Sequence, residues 1–361
     1  METYKTLAMQ KQNLIFVILM IMLFSCNESS IPEEVNATSP TIVKIAFGSC
    51  ANQDLPQPML NVAVEKQADV FVYLGDNIYG DSHIMDTLIA KYGRLAAKAE
   101  FQKLRDVATI YSVWDDHDFG ENDAGRHYPF KAESKEIFMD FWQVSADSDR
   151  RKHEGIYGVE YLKRDSLTIQ FVLLDTRTFR DELIHRSPED SILHKNDYIP
   201  NQNPDSTFLG EAQWTWLEKT LKEKADVRII ASSNQFSHEY NGWESWTNVP
   251  HQQKKMIDLI ASTKANGVVF ISGDVHWGEI SKLQTDQNYP IYDVTSSGIT
   301  QEWDIIEPNK NRVGEAIPQN NIGWIEIAKE ANGTSILLSI IDSTTQQVVA
   351  HKVNLKEISF Q

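Results

Sequence analysis

The amino-acid sequence predicts an α/β fold in which a largely parallel sheet is covered by helices on both faces. Short apolar segments, typical of buried strands, alternate with segments whose apolar residues recur every three or four positions, typical of amphipathic helices. This alternation favours parallel strands joined by helical crossovers. Polar residues follow six of the predicted strands, and ligands of such sheets bind beyond the carboxyl ends of the strands. The sequence therefore predicts a single polar site at those ends.

The predicted elements run through the chain in a regular order. The six strands are Ile42–Phe47 and the apolar runs of "ADVFVYLGD" (68–76), "ATIYSVWDDHD" (108–118), "SLTIQFVLLDTR" (166–177), "VRIIASSNQ" (227–235) and "GVVFISGDVH" (267–276). The clearest helical patterns are "PQPMLNVAVEKQA" (56–68), "GEAQWTWLEKTLKEK" (210–224) and "HQQKKMIDLIASTK" (251–264). The C-terminal third instead contains successive strand-like segments, such as "GWIEIAKE" and "TSILLSIID", separated by turns. These segments predict a second sheet, or the antiparallel part of one.

The first 25 residues have the features of a bacterial lipoprotein signal peptide. Lysines precede the apolar run Leu14–Phe24, which is short for a membrane span, and Ser25 comes directly before Cys26. This arrangement resembles a lipobox, in which Cys26 would be lipidated; the alternative is an uncleaved membrane anchor. Residues 26–41 are then a polar tether and residues 42–361 a single domain. The protein is expected to be exported and anchored by lipid in the periplasm or at the outer-membrane surface.

Net charge and cysteine content limit the classes of ligand that the protein could bind and the roles that Cys50 could have. The 361-residue chain has a net charge of −17, which excludes a nucleic-acid binder because phosphate contacts need clustered Lys and Arg. An anionic substrate would need local compensation, which bound cations provide. The chain has two cysteines, and if Cys26 carries lipid, Cys50 has no disulfide partner. Cys50 is then either an inert buried thiol or a metal ligand.

The side chains that follow the strands form a mixed set of metal ligands. The set offers oxygens, a nitrogen, a thiolate and a phenolate, from Asp76, Asp116, Asp274, His276, Cys50 and Tyr79. Thiolate and phenolate together favour a strongly Lewis-acidic ion such as Fe(III), whereas an all-oxygen pocket favours Ca²⁺, Mg²⁺ or Mn²⁺. A carboxylate shared between two ions makes a bimetal centre, which binds a phosphoryl group and generates a hydroxide nucleophile. His117 is the candidate that protonates the leaving oxygen.

Four short motifs, in order along the chain, resemble those of a known family. "GSC", "GDNIY", "WDDHD" and "SGDVH" resemble the alkaline phosphatase D (PhoD-like) family of calcineurin-like metallophosphoesterases, from about Ile45 to Ser297. The Gly-Asp-x-x-Tyr spacing is also similar to that of purple acid phosphatases. The resemblance implies a metallophosphoesterase-like αββα sandwich of two mixed sheets flanked by helices. It also implies metal-dependent hydrolysis of phosphate esters.

The resemblance also implies how the ligands divide between two ions. The ferric ion would take a thiolate, a phenolate, an imidazole and a bridging carboxylate, from Cys50, Tyr79, His276 and Asp76. The second ion, Ca²⁺, would share Asp76 and take Asp274 together with either Asp116 or Asn122, which the sequence does not separate. Another divalent pair, such as Mn²⁺, Mg²⁺ or Zn²⁺, is the alternative metal content.

Several other polar residues have two interpretations each. His117 is either the acid-base residue at the scissile phosphate or a structural histidine bonded to a neighbouring carboxylate. Arg177 is expected to grip the phosphate with its planar guanidinium, or else to form a salt bridge with Asp175 or another acid. Asn234 and Gln235 are either ligands of the second metal or capping residues. The aromatic segment 240–246 either roofs the cleft or packs in the core.

The predicted function is hydrolysis of small phosphate esters by attack of a metal-activated oxide or hydroxide on phosphorus. Because the chain is predicted to end in strands rather than in a closing helix, an open cleft is expected, which would accept monoesters or diesters. A phosphodiesterase or phospholipase-type enzyme is the alternative within enzymes. A non-catalytic, lipid-anchored binding protein on the same scaffold is the alternative from another class. The protein is expected to be monomeric.

Overall fold

The computed structural model describes residues 40–286, 289–344 and 346–360. The predicted signal peptide, the lipidation site Cys26 and all but the last two residues of the predicted tether lie outside these ranges. Among the described residues, no helix is both long enough and apolar enough to cross a membrane. The first strand begins at Thr41, one residue before the predicted start of the domain.

The described residues form the following elements. The strands are β1 (Thr41–Gly48), β2 (Val70–Leu74), β3 (Thr109–Val113), β4 (Gly158–Arg164), β5 (Leu167–Leu173), β6 (Ile184–His185), β7 (Tyr198–Ile199), β8 (Val227–Ala231), β9 (Val268–Ser272), β10 (Gly278–Leu283), β11 (Ile291–Ser296), β12 (Asn321–Glu330), β13 (Gly333–Asp342) and β14 (Gln347–Asn354). The helices are α1 (Met59–Glu65), α2 (Met85–Ala96), α3 (Ala99–Val107), α4 (Asp116–Phe119), α5 (Lys131–Phe141), α6 (Asp149–Lys152), α7 (Gly210–Lys222) and α8 (Pro250–Thr263). Short 3₁₀ turns lie at Asp190–Ile192, Trp246–Asn248 and Leu355–Ile358.

The large strands pair into two mixed sheets rather than the single sheet that the alternation of elements predicts. The first has the order β14-β13-β12-β1-β2-β3, with β1, β2 and β3 parallel and the other pairs antiparallel. The second has the order β10-β11-β9-β8-β5-β4, with parallel β11, β9, β8 and β5 between antiparallel edge strands. The αββα sandwich implied by the family resemblance is thus confirmed.

The C-terminal segments complete both sheets. β12 pairs antiparallel with β1, so that β12, β13 and β14 form the antiparallel part of the first sheet. β11 instead pairs parallel with β9 in the second sheet. The two sheets pack against each other through β10 and β11 on one side and β12 and β13 on the other. β2, β8 and β9 are buried along their whole length, because each lies between the other sheet and the outer helices. Their sequences are therefore continuous apolar runs.

The carboxyl ends of parallel strands from both sheets meet at one place. The Ser49 backbone N–H, just after β1, donates to the carbonyl of Ser296 at the end of β11 (3.1 Å). The Ala51 N–H donates to the carbonyl of Asp76, after β2 (2.8 Å), and the Gly273 N–H, after β9, donates to the carbonyl of Ser233, after β8 (2.9 Å). These bonds bring the polar residues after the strands together.

Candidate metal centre

The predicted metal ligands converge in two adjoining groups. One ligand atom each from Cys50, Asp76 and His276 lie within 4.8 Å of one another. Asp76 also belongs to a second such group, with Asp116 and His117. The Cys50 Sγ lies 3.3 Å from an Asp76 carboxylate oxygen. Asp76 therefore lies between a sulfur-containing group of ligands and an oxygen-rich one.

Tyr79 and Asp274 join these two groups from either side. The Tyr79 hydroxyl lies 3.5 Å from the Nε2 of His276. Asp274 has a carboxylate oxygen within 4.8 Å of those of Asp115 and Asp116. The phenol thus lies on the sulfur side and Asp274 on the carboxylate side, which fits the division of ligands that the family resemblance implies.

Four of the predicted ligands have left-handed backbone conformations. The φ angles are 58° at Cys50, 49° at Asp76, 76° at Asp274 and 65° at His276. Such angles are uncommon for residues with a Cβ atom and cost about 1–3 kcal/mol each. Strain of this kind concentrates at functional sites, where surrounding packing enforces it. Its occurrence at these four positions supports a shared role for them.

Gly75, the glycine of the "GDNIY" motif, allows the loops after β2 and β3 to approach. Its φ is +102°, and a Cβ atom there would lie 2.5 Å from the Asp115 Cβ and 2.6 Å from the Asp115 backbone nitrogen. We expect Gly75→Ala to lower the free energy of unfolding by at least about 1–3 kcal/mol, because both the conformation and the space exclude a side chain. Urea unfolding measures the change.

The matched control for this substitution is Gly93→Ala in helix α2. A Cβ atom at Gly93 meets nothing within 4 Å. Because alanine favours the helix, we expect this variant to be more stable by about 0.5–1 kcal/mol. Equal effects of the two substitutions would contradict the close approach at Gly75.

The site contains buried carboxylate oxygens without hydrogen-bond donors. Among the described residues, the Oδ1 of Asp76, the Oδ1 of Asp116 and the Oδ2 of Asp115 are buried and have no hydrogen-bond partner. Leaving a buried carboxylate oxygen unpaired is costly unless a cation compensates it. Burial raises the pKa of Asp76 well above its usual range, and the neighbouring Cys50 raises it further. The site thus fits the binding of positive ions between these carboxylates.

The thiol and phenol need a metal ion in order to ionise. Burial raises the pKa of Cys50 to about 12 and raises the pKa of Tyr79 as well. Burial lowers the pKa of His276 to about 4, with a further contribution from the charge of His117. His276 is therefore neutral at pH 7, as a metal ligand must be, whereas ligation of Cys50 and Tyr79 would release their protons.

His117 lies at the edge of the carboxylate group and is bonded to Asp81. Its Nδ1 lies 2.7 Å and 2.9 Å from the two carboxylate oxygens of Asp81. Burial alone would lower the pKa of His117, but the negative charge of Asp76 and the bond to Asp81 outweigh it and raise the pKa to about 10. The raised pKa favours the protonated form of His117, and Asp81 holds the ring through its Nδ1.

Arg177 has one of the two environments that the sequence predicts. Its side chain is fully buried, and the guanidinium donates to Asp115 and, through two nitrogens, to the carboxylate of Glu244. The structure thus shows the alternative expected for Arg177, a salt bridge with another acid, and the partners are Asp115 and Glu244 rather than Asp175. Contact of Arg177 with a phosphate stays a prediction. A guanidinium whose donors are committed to carboxylates holds those carboxylates in place.

Asp116 depends on the same arginine. An Arg177 nitrogen lies 3.8 Å from an Asp116 carboxylate oxygen. Burial would raise the pKa of Asp116, but the positive charges of Arg177 and His117 outweigh it and lower the pKa below its usual range. Asp116 stays ionised in the buried site. Asn122, the other candidate ligand, is exposed and lines the outer part of the same cleft, so the choice between them stays a prediction.

Four acidic residues of this site escaped the sequence reasoning as functional candidates. They are Asp81, Asp115, Asp123 and Glu244. Asp81 belongs to the loop of the "GDNIYGD" motif and Asp123 follows Asn122. Both could have been identified from their positions in the loops that follow predicted strands. Asp116, Asp123 and Glu244 form a further group of possible ligands within 4.8 Å. Glu244 lies in a Trp-rich segment far along the chain, and no local signal identifies it.

Of the two residues with undecided roles after β8, Gln235 has partners that fit a structural role, whereas the role of Asn234 stays undecided. Gln235 donates through its amide to Glu279 and Thr295, 3.0 and 3.1 Å away, in a buried network. Asn234 is buried and does not line the cleft. The aromatic segment 240–246 divides between both expected roles, because Trp243 lines the cleft whereas Trp246 is buried in the core.

Comparison with known proteins agrees with the fold and the motifs. The family model described as PhoD-like phosphatase matches residues 166–327. The chain is 26% identical over 296 residues to "Alkaline phosphatase D" of Bacillus subtilis (strain 168), a match that covers 70% of this chain and 48% of that protein. The chain thus spans about half the length of this curated relative.

Solved structures share the fold at low sequence identity. "Structure of PhoD" has a TM-score of 0.67 at 18% identity, covering 88% of this chain and 72% of that one. A dimetal phosphatase from Danio rerio has a TM-score of 0.51 at 13% identity, with coverage of 88% and 99%. GAP50, the anchor in the inner membrane complex of Plasmodium, has a TM-score of 0.54 at 12% identity, with coverage of 87% and 89%. In the part of its sequence that the family model matches and in its fold, the chain is similar to PhoD-like phosphatases.

Proposed function

We propose that this protein hydrolyses phosphate esters with the help of two metal ions held side by side at the carboxyl ends of the parallel strands. The observation that carries the proposal is the convergence of the thiol of Cys50, the phenol of Tyr79 and the imidazole of His276 around Asp76, beside the further carboxylate of Asp116. The buried, unpartnered carboxylate oxygens supply a second reason for cations at this place.

The ligand types suggest different ions for the two halves of the site. Sulfur, phenolate and imidazole ligands from Cys50, Tyr79 and His276 suit Fe(III), with Asp76 shared. The all-oxygen half, with Asp274 and either Asp116 or Asn122, suits Ca²⁺. A different divalent pair, such as Mn²⁺, Mg²⁺ or Zn²⁺, would fill the same positions with less use of the thiolate and phenolate.

The bound ions would neutralise the phosphoryl charge and supply an activated oxygen nucleophile. His117 would protonate the leaving alkoxide, because it is an imidazole at the cleft edge that Asp81 holds in place. Asp81 accepts from the Nδ1 of this ring, which leaves Nε2 to meet the substrate. Arg177 and Glu244 fix the orientation of Asp115 beside Asp116 and therefore act by positioning.

The shape of the cleft bears on which phosphate esters the proposed enzyme would accept. His117, Asp274 and His276 line a cleft that continues outward to Trp243 and Trp303. Room beyond the metals would admit the second substituent of a diester, so phosphodiesterase activity is the alternative to phosphomonoesterase activity. Comparing p-nitrophenyl phosphate with bis(p-nitrophenyl) phosphate separates the two, and turnover of neither would favour a non-catalytic binding protein.

We also propose that the protein is exported and anchored by lipid at Cys26, on the strength of the lipobox-like "LFSC" after an apolar run. In this setting the protein would be a monomer in the periplasm or at the outer-membrane surface, and it would act on small phosphate esters. Metabolic labelling with a fatty acid, compared between the wild type and Cys26→Ser, tests the anchor.

The metal assignment predicts a colour that depends on Tyr79. We expect the purified protein to contain iron and to absorb in the visible range, since phenolate and thiolate ligands both give charge-transfer bands with Fe(III). Tyr79→Phe is expected to remove the phenolate part of the band while iron is retained by the remaining ligands. Elemental analysis and absorption spectra measure both effects.

Tyr111→Phe is the matched control, because Tyr111 lies on β3 and packs against Phe171, away from the ligands. Its spectrum should equal that of the wild type. An unchanged band in iron-containing Tyr79→Phe would remove the phenolate from the site. Protein that binds no metal at all would overturn the proposed function.

A further inference from the structure

The outer half of the cleft has aromatic walls. The rings of Trp243 and Trp303 lie 6.2 Å apart between centroids and nearly perpendicular, at 83°. The Trp303 ring also lies 6.2 Å from the ring of His276, one of the proposed metal ligands. Trp303 is 40% exposed, which is unusual for so large an aromatic side chain. An aromatic surface therefore extends outward from the metal centre.

A carboxylate that belongs to no group of metal ligands stands beside this surface. Asp197 lines the same cleft, and its backbone N–H donates to the carbonyl of Gly242 (3.1 Å), the residue before Trp243. Gly242 has a φ of +87°, and a Cβ atom there would overlap the carbonyl oxygen of Lys195. Within the described part of the chain, Asp197 is in no group of three possible ligands, and it is exposed. Its charge is free to meet a ligand.

The walls are held together before any ligand binds. The side-chain amide of Asn196 donates to the carbonyl of Asn241 (2.6 Å) and to the carboxylate of Glu307 (3.0 Å). This one side chain joins the segments that carry Asp197, Trp243 and Trp303. A site that is already ordered loses less entropy on binding.

The negative charge of the cleft favours a positively charged ligand group. Among the described residues that line it, none is Lys or Arg, and acidic side chains reach from the metal centre to Asp197 at the rim. The net charge of −17 adds a long-range attraction for cations. Aromatic faces beside a carboxylate bind ammonium and quaternary ammonium groups through cation–π attraction.

We propose that the outer cleft binds the ammonium group of a substrate whose alcohol is an amino alcohol or a quaternary ammonium alcohol. The inference rests on the proposed function, because it assumes that the phosphate of the same molecule binds at the metal centre. The substrate class is then a zwitterionic phosphate ester. Trp243 and Trp303 contact the cationic head and Asp197 neutralises it.

Binding of tetramethylammonium tests the aromatic site without any turnover. We expect the metal-containing protein to bind this ion, detected by calorimetry and by quenching of tryptophan fluorescence. Trp303→Leu should weaken binding by about 2- to 30-fold, the range for cation–π contacts from exposed to desolvated sites. Asp197→Asn should weaken it by up to about 5-fold, the range for an exposed ion pair. Asp304→Asn and Ile305→Ala are matched controls, because both residues are exposed neighbours of Trp303 that do not line the cleft, and they should bind as the wild type does.

Turnover tests whether the cationic group belongs to the substrate. p-Nitrophenyl phosphocholine is compared with its neutral isostere, in which carbon replaces the quaternary nitrogen. We expect kcat/KM to favour the cationic ester by about 10-fold in the wild type, and Asp197→Asn and Trp303→Leu to bring the ratio towards one. The controls should keep the wild-type ratio.

The outcomes separate this inference from the proposed function. Equal turnover of both esters, with no binding of tetramethylammonium, overturns the inference and leaves the hydrolase intact. Binding that depends on Trp303, without turnover of any ester, supports the ammonium site and overturns the proposed function. If Asp304→Asn weakened binding as much as Asp197→Asn, the general negative field would be responsible, and the inference would be wrong.

Discussion

Asp76→Asn is expected to abolish binding of at least one metal ion and to reduce phosphate-ester hydrolysis by about 10³-fold or more. Asp76 is the carboxylate that belongs to both groups of ligands, with Cys50 and His276 on one side and Asp116 on the other. A neutral amide offers one weaker oxygen in place of two charged ones, so it cannot bridge two cations. Loss of several kcal/mol of transition-state stabilisation by metals corresponds to a rate loss of this size.

Metal content and stability distinguish this effect from misfolding. Folding raises the pKa of the Asp76 carboxyl group, so this group makes the folded protein less stable as the pH rises above the unfolded pKa. An amide does not titrate and has no such effect. At pH 7, after chelation, Asp76→Asn should therefore unfold at the same temperature as the chelated wild type, or higher. Asp304→Asn, an exposed acid outside the cleft, should keep both metals and full activity. A fully active Asp76→Asn would refute the bridged pair of ions.

Arg177→Met is expected to lower the free energy of unfolding by about 3–5 kcal/mol. Its guanidinium is fully buried and is bonded to Asp115 and Glu244, so removing it leaves buried carboxylates unpaired. The Arg180 side chain contacts the same Glu244 carboxylate at 3.0 Å and compensates for part of the loss. Urea unfolding of the chelated protein measures the change directly, because bound metals would partly replace the missing positive charge.

Two further variants define the cause of that destabilisation. Arg177→Met combined with Glu244→Gln should recover part of the loss, since it also removes one of the unpaired charges. Arg126→Met breaks an ion pair with Asp181 in which the arginine is 46% exposed, and should cost no more than about 1 kcal/mol. If Arg177→Met were as stable as the wild type and instead raised KM at unchanged kcat, the guanidinium would bind the phosphate after all.

The sequence was informative wherever a local pattern had a single physical meaning. Cys50, Asp76 and Asp274 each lie two or three residues beyond an apolar run, and buried parallel strands present the residues after their carboxyl ends at one edge. The spacing of Tyr79 from Asp76 is also local, because it is set by one turn. The expectation that these residues meet therefore needed no knowledge of the sheet order.

The same reasoning failed where pairing depends on distant segments. Alternating strands and helices predicted one sheet, but β12 pairs with β1 across most of the chain and divides the strands between two sheets. Local apolar patterns are the same in either arrangement, because central parallel strands such as β2, β8 and β9 are buried on both faces. The choice between one sheet and two is made by long-range packing.

The sequence by itself determined the chemical types present at the site: thiol, phenol, imidazole and carboxylates that follow strands. Only the tertiary structure decided their partners, such as Asp81 for His117 and Glu244 for Arg177, which lies 67 positions earlier. A buried charge must find an opposite charge wherever the fold brings one, since leaving it unpaired costs several kcal/mol. That partner is fixed by distance in space, which the order of residues along the chain does not encode.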